Sequence, residues 1–495
     1  MRVTRFMERY SGGAGDGPLP NRLLPGMLVL AAILLVLAMP TSNTWTMILI
    51  GLGAALAILQ PAMMISLVLV TVPIQDAVML PYFRGDFTLT QIAVFGLFLG
   101  WGVTFWRYRV WLDSIMLGYV AMGTAFLVSL LEMAEIGLWV GEVYRWAVAA
   151  AFFLICRSVL RDWREIRVVL WGLVATTMAT WFYGFGQVVA GNGPDHMFEG
   201  GILRVTGAFG TPNPLAAYVE FTIPLLLVLA LFGFRASFRE HIGRWLWVAA
   251  AVTSVAGMGV LALTQSRGGM IGFAAAMMIV LWALPGRIRV ATVGAGVLLV
   301  LIVLLTPVGQ SQLHRFERVL EAPRQSRTGE IYDYGFDRSS LWFAAIRMFE
   351  DKPLTGVGAG EFDYHYREYT PVWYDRVPLG QAHNGWLQMG AQAGLSGVVA
   401  FTAWIAATLV SLIGAARRST EPLSRALAIG GLATMVAFTT HSLVDYLNVS
   451  SLELQLGAIV AIGLNLAPDP LTAYVRSRPG AESQSVADPL PTGLA

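Results

Sequence analysis

Trp245-Leu246-Trp247-Val248-Ala249-Ala250-Ala251-Val252-Thr253-Ser254-Val255-Ala256-Gly257-Met258-Gly259-Val260-Leu261-Ala262-Leu263-Thr264 is the stretch that decides the fold class. No charged residue interrupts it. Its length matches the roughly 20 residues that an α-helix, rising about 1.5 Å per residue, needs to cross the hydrocarbon core of a bilayer. Directly after it come Gln265-Ser266-Arg267-Gly268-Gly269 and a second apolar run ending near Leu284. Two spans follow one another with almost no loop, and an arginine stands between them.

The same reading, carried outward in both directions, marks apolar runs at 23–39, 45–59, 62–80, 88–106, 111–131, 143–156, 168–189, 215–234, 290–307, 384–413, 426–444 and 450–466 besides 245–264 and 269–284. Because several are short or interrupted by proline, they predict about 12 to 14 transmembrane helices and an all-α, polytopic membrane protein. Composition agrees: 56% of residues are hydrophobic and 13% charged, against roughly 45–50% and about 25% in soluble domains, which excludes a soluble globular enzyme. The formal net charge of +2 offers no argument for a nucleic-acid partner. Cys156 is the sole cysteine, so no intramolecular disulfide is possible.

Three regions follow: a head at 1–22, a transmembrane domain at 23–466 and a tail at 467–495. The head mixes Glu8 and Asp16 with Arg2, Arg5, Arg9 and Arg22, a pattern unlike a secretory signal, so the first span is expected to be retained. The tail, rich in Pro, Ser, Gly and Ala, has too little apolar surface for a core and reads as disordered. Arginines collect on alternate loops: Arg107 and Arg109; Arg157, Arg161, Arg164 and Arg167; Arg235, Arg239 and Arg244; Arg287 and Arg289; Arg417, Arg418 and Arg425. The positive-inside rule puts these loops and both termini in the cytoplasm, and the segments 190–214 and 308–383 on the outer face.

The outer segment 308–383 is far longer than a connector needs to be. It contains a predicted amphipathic helix from Ser339 to Glu350, with Leu341, Trp342, Ala345, Met348 and Phe349 on one side and Asp337, Ser339 or Ser340 as its cap. That helix is expected to lie on the membrane or to close over a cavity. The run Gly356-Val357-Gly358-Ala359-Gly360 lacks the strand context of a dinucleotide fingerprint and reads as a tight turn after the helix. The aromatics from Tyr364 to Tyr374 suit either sugar stacking or the membrane interface.

Candidate chemistry gathers at the outer face. An arginine at membrane depth costs about 2.5–3.5 kcal/mol on insertion scales, so Arg267 calls for a polar cavity or a partner, unless it snorkels from an outer boundary. Arg204 lies in Gly201-Ile202-Leu203-Arg204-Val205-Thr206, shortly before Thr211-Pro212-Asn213-Pro214 opens a helix whose free amides favour anions. His383, in Gln381-Ala382-His383-Asn384, stands where the long outer segment re-enters the membrane. Its imidazole can act as a general base, although a histidine at a helix start is often just a cap. Asn384 is placed to orient that ring or a sugar hydroxyl. His441 and Asp445, one helical turn apart, either pair with each other or line the cavity. The 6 histidines are scattered and no Asp/Glu/His cluster has ligand spacing, so no metal and no cofactor are expected.

Four stretches resemble a known family: Gly207-Ala208-Phe209-Gly210-Thr211-Pro212-Asn213-Pro214-Leu215-Ala216; Thr264-Gln265-Ser266-Arg267-Gly268-Gly269; Arg338 through Met348-Phe349-Glu350-Asp351-Lys352-Pro353-Leu354-Thr355-Gly356-Val357-Gly358; and His383-Asn384 through Gly394-Leu395-Ser396-Gly397. In this order they are similar to the O-antigen ligase and O-antigen polymerase superfamily of bacterial surface-polysaccharide enzymes. The resemblance implies a metal-independent, inverting glycosyltransferase at the outer face of the cytoplasmic membrane. Its donor would be a polyprenyl-diphosphate-linked glycan, such as one on undecaprenyl diphosphate, and its acceptor a glycan, lipid or protein. On this likeness Arg204 and Arg267 hold the diphosphate, Arg338 assists and His383 activates the acceptor hydroxyl. Asn213, Asn384, Ser266, His441 and Asp445 complete the expected contact set. Gln392 stands where many relatives carry an acidic residue, which leaves His383 without an expected carboxylate partner from that helix. A transporter or flippase of lipid-linked sugars is the competing class. It would favour inverted repeats and broken helices, whereas these candidates cluster at one face.

Overall fold

Short polar residues at the edges of the apolar runs decide where helices begin. Thr88 and Gln91 form a reciprocal capping box, as do Asp162 and Glu165, while Asp113 accepts the amides of Ile115 and Met116. Each such cap satisfies amides that the first helical turn leaves without an intrahelical partner.

The computed structural model describes residues 43–77, 79–82, 85–108, 113–191, 198–199, 202–305, 338–370 and 380–468. The head, the expected first span at 23–39, about half of the outer segment 308–383 (308–337 and 371–379) and nearly all of the tail lie outside these residues. Helices run in the order α1 Asn43–Leu59, α2 Pro61–Thr71, α3 Leu89–Thr104, α4 Ser114–Ser129, α5 Ile136–Val159 and α6 Trp163–Ala190. They continue as α7 Pro212–Phe232, α8 Ala236–Ile242, α9 Arg244–Thr264, α10 Arg267–Ala283 and α11 Gly286–Leu304. After the outer segment's α12 Arg338–Asp351 and α13 Phe362–Tyr369 come α14 Gly385–Arg418, α15 Pro422–His441 and α16 Leu452–Asn465. Two small antiparallel hairpins, Met79–Tyr82 with Gly85–Thr88 and Phe198–Glu199 with Ile202–Leu203, are the only sheet among the described residues.

Eight of the described helices are long and apolar enough to cross a membrane, and four shorter apolar helices accompany them. The molecule is an all-α polytopic membrane protein. At its centre stand α7 and α15, buried over most of their length, with α9, α10, α14 and α16 packed around one or both. An apolar helix surrounded on every side has no polar face to present, and α7 has none. Lipid tails are as apolar as leucine, so close packing of small residues holds such helices together. Gly96 and Gly100 on α3 show this: a Cβ on Gly96 would lie 2.9 Å from the Gly53 Cα of α1, and one on Gly100 would lie 2.4 Å from the Ala54 carbonyl oxygen.

Three expectations change in detail. The span expected at 62–80 ends as an α-helix at Thr71; Val72–Ala77, containing Pro73, Gln75 and Asp76, forms a 3-10 turn that leads into the first hairpin. Proline removes a backbone donor and disfavours continuation of the α-helix. The span expected at 143–156 extends over the whole of α5. The span expected at 384–413 is broken: Ala393 and Gly394 leave helical geometry, with Gly394 at φ 60°, ψ −153°.

That break is built together with the outer segment. The Leu395 amide donates to the Pro353 carbonyl at 2.7 Å, and the Val357 amide to the Ala391 carbonyl at 2.8 Å. The glycine run therefore docks against the interrupted helix. The predicted amphipathic helix is α12, whose Leu341, Ala345 and Met348 join Phe362, Tyr366 and Ala391 in a small core of their own. Its apolar face covers the first half of α14. Farther along, the buried Glu361 carboxylate accepts the amides of Ala134 and Glu135 and ties the segment to the start of α5.

Candidate functional site

Asp445, in the short connection between α15 and α16, gathers four donors. Its Oδ1 accepts from His383 Nδ1 at 2.6 Å and from the Tyr446 amide at 2.9 Å. Its Oδ2 accepts from Asn213 Nδ2 at 2.7 Å and from an Arg338 guanidinium nitrogen at 3.3 Å. Arg338 also donates to the Val444 carbonyl. One carboxylate thus joins the starts of α7, α12 and α14, residues 232 and 107 positions away among them. Burial by itself raises a carboxyl pKa. Here the hydrogen bond and charge of His383, with Arg338 and His441, outweigh it and hold Asp445 down at about 2.

His383 takes a left-handed backbone, φ 49°, unusual for a residue with a side chain. Strain of this kind costs about 1–3 kcal/mol and persists where the surroundings over-determine it. Here they do. Asn384 caps α14 by accepting the amides of Trp386 and Leu387 on Oδ1, and its Nδ2 donates to the Leu443 carbonyl at 2.7 Å. The Gly385 amide donates to the Ser442 carbonyl at 2.7 Å. Asn384 thus clamps the helix start to the Asp445 connection, and its amide is occupied by backbone rather than by the histidine ring. With Nδ1 bound to the Asp445 carboxylate, Nε2 is the ring nitrogen left to take a proton whenever the imidazole is neutral.

The arginine turn is assembled separately. Arg204 Nε donates to the Thr264 carbonyl at 3.2 Å, and the Val205 amide to the Leu263 carbonyl at 3.1 Å. The strand-like segment before α7 thus lies along the end of α9. Gln265 reverses the chain at φ 53°, and Ser266 then caps α10 by accepting the Gly269 amide. Arg267 is the first residue of α10 and is exposed. It has no hydrogen-bond or ion-pair partner among the described residues. An unengaged guanidinium at a helix N-terminus has the chemistry to receive an anion.

His441 and Asp445 do not pair with each other through their side chains. His441 is buried and its Nδ1 donates to Glu220 Oε2 on α7 at 2.8 Å, while the His441 carbonyl accepts the Val444 and Asp445 amides that form the next turn. Glu220 was not among the expected residues. The signal was present, since Glu220 is the one acidic residue in the apolar span 215–234, and an ionisable group at membrane depth marks a site by default. Glu142 on α5 is the second omission; it accepts from Tyr446 Oη at 2.6 Å, Trp146 Nε1 at 3.1 Å and Arg145 at 2.6 Å, so it braces the residue next to Asp445. The carboxylate partner of His383, not expected from the Gln392 position, comes from Asp445 instead.

One face of the bundle therefore brings together the starts of α7, α10, α12 and α14 and the ends of α9 and α15. It offers a histidine oriented by a carboxylate and three arginines, Arg338 on that carboxylate and Arg204 and Arg267 from adjoining segments. No group of three or more His, Cys, Asp or Glu suited to a metal occurs among the described residues. The arrangement can take a proton from a hydroxyl and hold an anion. Residues 249–402 match the sequence profile of the O-antigen ligase family, a match that includes Arg267, Arg338 and His383. No curated protein matches the chain.

Proposed function

We propose, from the match of residues 249–402 to the O-antigen ligase family, that the chain is a glycan-transferring membrane protein of the O-antigen ligase and polymerase kind, and that it transfers a glycan from a polyprenyl-diphosphate carrier to an acceptor hydroxyl with inversion. His383 Nε2 takes the proton of the acceptor hydroxyl, and the oxygen attacks the anomeric carbon. The bond from that carbon to the diphosphate breaks, and its electron pair leaves with the polyprenyl diphosphate. Arg267 and Arg204 hold the diphosphate, because guanidinium groups bind phosphate oxygens bidentately and stabilise charge where it develops. Asp445 acts through His383, holding its Nδ1 proton and stabilising the imidazolium.

The observation that carries this reading is the 2.6 Å bond from His383 Nδ1 to Asp445, in a site whose other anchors come from the motif segments around Asn213 and Arg338. Arginine-rich loops at the opposite ends of α7, α9, α10, α14 and α15 support a cytoplasmic location for that side, and hence for both termini, with the site at the outer face of the cytoplasmic membrane. The acceptor, whether a growing glycan, a lipid or a protein, depends on the outer segment.

His383→Ala should abolish transfer from a defined polyprenyl-diphosphate glycan while the purified variant remains monodisperse in detergent. Elongated products from the wild type identify a polymerase, and transfer to an added acceptor identifies a ligase. Full activity in His383→Ala would remove the general base from this mechanism, and movement of the lipid-linked glycan without chemistry would replace the transferase by a flippase.

A further inference from the structure

The buried pair of Glu220 and His441 sits behind the site and touches neither the His383 imidazole nor Arg267 by any hydrogen bond among the described residues. Its side chains are 0% and 1% exposed. Two polar side chains at this depth are costly to bury, and breaking a buried pair costs more than the pair contributes. What they touch suggests their role. A Cβ on Gly268 would lie 2.5 Å from His441 Cδ2 and 2.6 Å from its Nε2. A Cβ on Gly272, one turn farther along α10, would lie 2.4 Å from Glu220 Oε1. The first turn of α10, which begins with Arg267, is therefore seated directly on the pair. From the other side, the His441 carbonyl accepts the amides of Val444 and Asp445 at 2.9 Å each, so the same residue begins the turn that carries Asp445.

We infer that Glu220 and His441 are positioning residues that set where Arg267 stands relative to the His383–Asp445 couple. Glu220 fixes the pair to α7, whose start supplies Asn213 to Asp445. His441 transmits that position to α10 through contact with Gly268 and to Asp445 through its backbone. The glycines are necessary because any side chain at Gly268 would push α10, and Arg267 with it, away from the pair. A displacement of about 1 Å at a binding group can cost on the order of a hundredfold in rate. The inference rests on the reading of Arg267 as a diphosphate ligand.

The test is the affinity of the purified, full-length protein for a polyprenyl diphosphate carrying no glycan. Glu220→Gln, His441→Gln and Gly268→Ala should each weaken binding at least tenfold, and each should have no further effect once Arg267→Ala is present. Should a glutamine variant fail to fold, Gly268→Ala, which presses on His441 from α10, carries the measurement. Wild-type affinity in the folded variants overturns the inference while leaving the donor reading standing. Losses that persist in the Arg267→Ala background also overturn it, since they show a general structural role. A wild-type protein that does not bind the probe, or binds it equally well as Arg267→Ala, refutes the donor assignment of Arg267 and this inference with it.

Discussion

Replacing Asp445 by asparagine keeps the shape of the side chain and removes only the property on which the His383 assignment depends. The carboxylate accepts from four donors on two oxygens. Asparagine has one accepting oxygen, so its NH2 must face either His383 Nδ1 or the amide of Asn213. If the NH2 faces Asn213 and Arg338, two donors oppose it. If it faces His383, Nδ1 must accept, the ring proton moves to Nε2 and the free base is lost. Where an asparagine substitution inverts the histidine tautomer in this way in serine proteases, turnover falls about 10⁴-fold, so we expect a loss on the order of 10³ to 10⁴ in kcat. At about 1.4 kcal/mol per tenfold, that is about 4–5.5 kcal/mol of barrier. Stability should fall as well. The His383 and Asn213 bonds are partly buried and lose their charge assistance at roughly 1–1.5 kcal/mol each, while the Arg338 contact, 36% exposed on the arginine side, is discounted for screening. The expected total is about 2–3 kcal/mol. Single-turnover transfer from a lipid-linked glycan measures the first quantity and thermal unfolding in one detergent the second. A variant with wild-type kcat and a lowered melting temperature would refute the reasoning, because Asp445 would then be a structural clamp alone.

Further outcomes can be checked independently. Arg267→Lys should raise the donor KM at least tenfold, since an ammonium cannot make the bidentate contact of a guanidinium; unchanged saturation kinetics would argue against diphosphate contact there. Gly394→Ala forces a side chain into φ 60°, ψ −153°, with its Cβ 2.5 Å from the Leu354 carbonyl carbon, and should destabilise by about 1–3 kcal/mol or displace the docked glycine run. Proteolysis of the outer segment in the folded variant reports that displacement, and unchanged stability and protection would contradict it. Because Asp445 is held near 2 in the folded protein against about 3.9 for a free carboxyl, its contribution of about 2 kcal/mol is complete above pH 4 and is lost as pH falls through 2. Between those pH values the wild type should therefore lose more stability than Asp445→Asn; parallel unfolding curves would show that the carboxylate is not held low.

Much of the candidate site is legible in the sequence, for different reasons at different residues. Arg267 stood out because an arginine between two spans with no loop has an evident desolvation cost. His383 stood out as an imidazole at the start of a long apolar run, and the positive charges on alternate loops supplied a common side for both. Glu220 was legible by the same desolvation argument but lay inside a run read for its hydropathy. The boundary errors share one physical cause. Apolar content shows what can sit in a membrane, whereas Pro73 and the break at Ala393–Gly394 govern whether the backbone there stays helical.

By itself, the chain's sequence determined an all-α membrane protein and the kinds of side chain available at one face, because bilayer thickness and the cost of burying charge act on each segment locally. Only the tertiary structure decided who pairs with whom. His441 and Asp445, neighbours on paper, turn to Glu220 and His383, which lie 221 and 62 residues away. Such pairings follow from how α7, α10, α14 and α15 pack, at distances along the chain over which spacing carries no information. The Trp245–Thr264 stretch announces a helix, but what its last turn presents depends on Arg204 reaching the Thr264 carbonyl from a segment 60 residues away.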